Sequence, residues 1–148
     1  MPQSSLIPSA ERIVDAMIQL ARAAKSHRMI VADSNRAEVF LELHRRGYSR
    51  VTTTSTCRVA RDRYDVAFVA WREHSIKALE TTLDPLVHFL GPAGVLVVWV
   101  GPHERAPNQK LRLALGRLGF RIEAGTTCEK GVVVSARRIE ASPVSQAA

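Results

Sequence analysis

Apolar residues recur along this chain in two rhythms, and the switches between them predict alternating helices and strands. Ile13, Met17, Ile18, Ala21 and Ala24 fall at helical spacing. With Ser9 placed as an N-cap, they predict a helix from about Ala10 to Lys25. "RMIVAD" is a short apolar run with β-branched residues, the mark of a strand buried on both faces. It runs straight into "SNRAEVF", where Asn35 and Glu38 form a capping box, Val39, Phe40 and Leu43 face inward, and Gly47 ends the helix. "RVTTTST" is β-branched but polar, which suits a strand near a sheet edge.

The second half repeats the alternation. "YDVAFVAW" reads as a central strand. "SIKALETTL" and "DPLVHFLGPAG" read as a helical pair, with Asp84 capping the second piece and Pro85 in its first turn. "VLVVWVG" is the most hydrophobic strand. "PNQKLRLALGRLGF" turns Leu111, Ala114, Leu115 and Leu118 to one side and stops at Gly119. "RIEAGTT" and "GVVVSARR" form a hairpin through "CEKG", with Gly131 at positive φ. The class is α/β: a mostly parallel sheet, helices on both faces, and a C-terminal antiparallel hairpin. The strand starting at Tyr64 should lie beside the one starting at Met29, where the strand order reverses and opens a crevice.

Composition narrows the function classes. The 148 residues suit a single domain over 9–139, with a flexible lead-in at 1–8 and a disordered tail at 140–148. Cys57 and Cys128 lack metal-ligand or CxxC spacing and read as reduced structural thiols; no metal site is expected. Glu11, Arg12 and Asp15 interrupt the apolar N-terminal stretch, against a signal peptide or a membrane span, so a soluble cytoplasmic protein with no membrane partner is expected. The net charge of +7, with arginines clustered in "HRRGYSR" and "CRVARDRYD", brings in polyanions. A basic nucleic-acid-associated domain is therefore one reading. Its check is salt-dependent retention on a polyanion, lost in Arg61→Ala/Arg63→Ala. Against it, these basic residues are not interleaved with aromatics, as single-strand binders require.

The order of motifs carries a resemblance. "YDVAFVAW", a helix ending "FLGPAG", "VLVVWVG", "LGRLGFRIEAG" and "GVVVSARR" together resemble the C-terminal half of class I S-adenosylmethionine-dependent methyltransferases. The likeness runs from about Arg28 to Arg138. It implies a three-layer Rossmann-like fold and a cofactor site at the ends of the first two strands. In that family glycines after the first strand let the backbone approach the cofactor's methionine part, and a carboxylate ending the second strand binds the ribose hydroxyls. Here the first junction, "VADSNRAEVF", has no glycine; Ser34, Asn35 and Ala37 put Cβ atoms there, while Asp33 is kept at the strand end. "TTTSTCR" has no carboxylate, and the connection to the next strand is too short for the helix, strand and helix the family carries. "VADSNRAEVF" should therefore not support ordinary S-adenosylmethionine binding.

Two readings of the junction stand side by side. Asp33, Ser34 and Asn35 either make a tight turn satisfied by its own side chains, or they line a cofactor or anion site at a helix N-terminus, with Arg36 nearby. "AWREHS" lies at the end of a central parallel strand, where open α/β sheets bind ligands. There Trp71 either stacks on a flat ring or covers the sheet end, and Glu73 and His74 either exchange protons or begin a solvated helix. His103 and Glu104, after the next strand, would line the same crevice. His27, His44 and His88 read as structural or solvated. No nucleophile elbow, Walker loop or carboxylate pair is present.

Three functions remain. The first is a methyltransferase-like domain with a degenerate cofactor site, acting as a non-catalytic module for a protein partner or a small anionic ligand. The second is an active S-adenosylmethionine-dependent methyltransferase with an altered pocket, using Asp33 and the Trp71 loop. The third is the nucleic-acid-associated domain.

Overall fold

The computed structural model describes residues 8–32, 38–54, 64–71, 76–101, 107–128 and 131–139. Helices α1 (Pro8–Ala21), α2 (Glu38–Arg45), α3 (Ile76–Phe89) and α4 (Pro107–Arg117) alternate with strands β1 (Met29–Ala32), β2 (Val51–Thr53), β3 (Tyr64–Trp71) and β4 (Leu90–Val100), except that no helix is described between β2 and β3. Strands β5 (Phe120–Cys128) and β6 (Gly131–Arg138) close the chain. The sheet order is β2-β1-β3-β4-β6-β5. The first four strands run parallel, and β6 is antiparallel to both β4 and β5. β3 lies beside β1, with Met29 opposite Val66, and β2 is an edge strand, both as the pattern predicts.

The period-2 alternation of side chains sorts the core into two layers. Ala67, Val69, Trp71, Leu96, Val98 and Val100 face α3 and α4, meeting Leu79, Leu83, Leu86, Leu111 and Leu115. Val66, Phe68, Ala70, Val95, Val97 and Trp99 face α1 and α2, meeting Ile13, Val14, Met17, Val39 and Leu43. A strand buried on both faces has no polar position to spare, which is why β1 and β3 are apolar almost throughout.

α1 begins at Pro8, which puts Ser9 inside its first turn rather than at the N-cap, and two further features differ from the pattern. α1 stops at Ala21 rather than near Lys25. Arg22 takes a left-handed φ of 53°, and Ala23 N–H donates to Ile18 O at 3.1 Å while Arg22 N–H donates to Gln19 O at 3.3 Å. That is a Schellman end built on arginine, so the glycine that normally signals it is missing. The same motif ends α2 on Gly47, at φ 96°, where it was legible. The second difference is that no helical pair forms around Asp84-Pro85. α3 is one helix with Pro85 inside it. Leu79 and Leu83 before the proline and Leu86 and Val87 after it are all buried in the same layer, which holds one continuous helical register. The helix then ends at Phe89, and "LGPAG" belongs to β4: Leu90 opposes Tyr64 and Val95 opposes Val66, so the intervening residues bulge out of the ladder.

The hairpin behaves as predicted. Gly131 sits at φ 133°, and a Cβ there would overlap the Val100 carbonyl oxygen. Arg138, near the chain's described end, donates through Nη2 to Val87 O and Leu90 O, both at 2.7 Å, and lies 5.2 Å from the Phe120 ring centroid. It thereby joins the last strand to the end of α3.

Candidate functional site

The C-terminal ends of the parallel strands form the place to examine, because neighbouring connections diverge there where the strand order reverses. That reversal is at β1 and β3. The ladder pairs Ala32, the last described residue of β1, with Val69, and β3 runs on through Ala70 and Trp71. β4 keeps level with β3: Trp71 opposes Val100, and Gly101 N–H donates to Trp71 O at 3.2 Å. On the other side of β1, Thr53 opposes Val31, and Thr54 N–H donates to Val31 O at 3.2 Å. The end of β2 thus lies beside Val31, the place to which the resemblance assigns a ribose-binding carboxylate. Thr53 and Thr54 stand there instead. No Asp or Glu occurs between Glu42 and Asp62.

Of the candidate site residues, Trp71 lies among the described ones. Its side chain is 3% exposed and packs in the layer beneath α3 and α4 with Val69 and Leu79. That is the arrangement of a covered sheet end, with the indole's apolar area spent on the core. Asp33, Ser34, Asn35, Arg36, Glu73, His74, His103 and Glu104 lie outside the described residues, as does Cys57. Their parent strands are described: Ala32, Trp71 and Gly101 are the last residues before those segments, and all three are buried. Trp99 is a second tryptophan at this end of the sheet. It is opposite Ala70 and 6% exposed, in the α1 and α2 layer, so the two tryptophans lie on opposite faces of adjacent strand ends. Period-2 counting from "VLVVWVG" contains that signal.

The histidines outside the crevice are accounted for differently. His27 Nδ1 accepts the Ala24 N–H at 2.9 Å, tying the turn after α1. His44 meets the Phe40 ring edge to face at 4.6 Å, and His88 is exposed in the last turn of α3. Among the described residues, no three His, Cys, Asp or Glu side chains gather as metal ligands, and no helix is long and apolar enough to cross a membrane.

No protein-family model matches the sequence, and no curated protein matches it. Solved structures do match the fold. The mitomycin 7-O-methyltransferase MmcR aligns with 84% of this chain at 14% identity and a TM-score of 0.55; the chain spans 53%, about half, of that protein's length. The geranyl diphosphate C-methyltransferase from Streptomyces coelicolor, solved with S-adenosyl-L-homocysteine, aligns over 86% of this chain and 77% of its own at 9% identity, TM-score 0.61. The cyclase SpnF aligns over 86% and 81% at 12% identity, TM-score 0.60. At these identities the likeness is one of fold.

Proposed function

We propose, for a chain with the fold of the class I S-adenosylmethionine-dependent methyltransferases, that it works as a binding or partner-interaction module whose crevice does not hold the cofactor in the usual way. One observation carries this: the register sets Thr53 and Thr54 beside Val31, and the sequence has no Asp or Glu between Glu42 and Asp62 to end β2 with a carboxylate for the ribose hydroxyls. A ribose brought to that position would lose water and gain no charged acceptor, an unfavourable exchange for a buried hydroxyl. The glycine-free "VADSNRAEVF" supports the same reading, because the resemblance calls for glycine there to let the cofactor's methionine part approach the backbone, and every residue of this stretch carries a Cβ. The fold does not dictate methyl transfer, since function belongs to the site; one structure of the same fold is a cyclase.

The test is thermal unfolding of the full chain with and without millimolar S-adenosylmethionine. We expect an unchanged melting temperature. A saturable rise, abolished by Asp33→Ala, would overturn this reading and favour an active methyltransferase with an altered pocket.

A further inference from the structure

The opposite end of the sheet, where the parallel strands begin, carries a different chemistry. Met29 N–H donates to Arg50 O at 2.8 Å, so Arg28 and Arg50 enter β1 and β2 side by side. A cavity of about 470 Å³ opens between them, lined also by Ser49 and Thr52. Both arginines are exposed, and neither side chain has a carboxylate partner among the described residues. Lys25, also exposed, lies over the Tyr48 ring at 5.6 Å and adds a third cation at this end. The nearby Arg45 and Arg46 are different, being paired with Glu42 and Asp15. Among the described residues Asp65 is the carboxylate beside the group, and its Oδ2 accepts the Arg28 backbone N–H at 2.9 Å.

We propose that this strand-entry face is a phosphate-binding surface for the backbone of duplex nucleic acid. Two exposed arginines lining one cavity, with Ser49 in the same lining, match phosphate oxygens in charge and in hydrogen-bonding capacity. Single strands are disfavoured, because both tyrosines at this end, Tyr48 and Tyr64, are buried and offer no face for base stacking. A membrane surface is disfavoured too. The exposed large apolar residues, Leu41, Leu113 and Ile139, do not line the cavity, so the face has charge without an inserting residue. The face lies at the far end of the strands from the crevice, and its function does not depend on whether the crevice takes a cofactor.

The experiment is fluorescence anisotropy of the full chain with a mixed-sequence, fluorescein-labelled DNA duplex over a series of salt concentrations. Arg28→Glu/Arg50→Glu is compared with Lys77→Glu/Arg112→Glu, two exposed cations on α3 and α4. Both double variants change the net charge equally. The strand-entry variant should lose at least about tenfold in affinity and about two units of the slope of log K against log salt, one for each phosphate contact removed. The control should retain most of both. Equal losses in the two variants would overturn the proposal, leaving net charge alone as the cause. It would also be overturned by a wild-type chain that binds phosphatidylserine vesicles or polyglutamate but not the duplex. Should the charge reversal unfold the protein, Arg28→Gln/Arg50→Gln removes the cations without adding repulsion and must show the same loss of slope.

Discussion

At the scale of single residues, two positions hold more of the structure than their type suggests. Arg138 donates from one nitrogen to two carbonyls where α3 passes into β4, and its guanidinium lies over Phe120. Hydrogen bonds to a charged group contribute about 1.5 to 3 kcal/mol, so Arg138→Ala should cost about 2 kcal/mol in chemical denaturation. Arg138→Lys should recover only part of it, because an ammonium cannot stack as a planar fork. Gly131 is the second position. Its positive φ and the closeness of the Val100 carbonyl act together, so Gly131→Val should cost about 3 kcal/mol or more. A denaturation midpoint unchanged by this substitution would show that the hairpin joins β4 differently.

At the scale of elements, the informative cases are those where packing overrides a local preference. Proline inside a helix costs about 3 kcal/mol by removing an N–H and crowding the carbonyl four residues earlier. α3 tolerates Pro85 because four buried apolar residues on both sides of it share one layer, each contributing about 1.5 to 3 kcal/mol. Pro85 itself is exposed, so Pro85→Ala should raise stability by about 1 to 3 kcal/mol. A loss of stability would instead mark Asp84-Pro85 as the start of a separate helix. α1 and α2 are held by a charged cluster: Glu42 accepts from Arg45 Nε at 3.1 Å and Arg46 Nε at 2.7 Å, and Arg46 reaches Asp15 on α1. The Arg45 hydrogen bond, with a smaller contribution from Arg46, holds the Glu42 carboxyl below its usual range in spite of burial. A depressed folded-state pKa contributes stability above the unfolded value, near 4.3, that is lost as pH falls through the folded one. Stability should therefore decline from about pH 4 downward, and Glu42→Gln should flatten that decline while lowering the melting temperature at neutral pH.

At the scale of the whole molecule, ligand binding reads out as global stability. A cofactor at about a hundred times its dissociation constant would add about 2.7 kcal/mol. For a chain of this size that is a rise of about 5 to 10 °C, well separated from the unchanged melting temperature we expect. The sequence by itself determined the α/β alternation, the central position of "YDVAFVAW", the edge position of "RVTTTST" and the positive φ of Gly131, because each follows from periodicity or from backbone sterics acting over a few residues. It also contained the absence of a carboxylate after β2, which needs only reading. Tertiary structure decided what depends on distant partners. Pro85 stays inside one helix because residues on β3 and β4 complete its layer, Trp71 is covered because α3 and α4 lie over it, and Arg138 finds its carbonyls 48 and 51 residues away. The pairing of Arg28 with Arg50 at one sheet end belongs to the same class: local pattern defines each strand, but only the register of β1 on β2 brings their entry residues together.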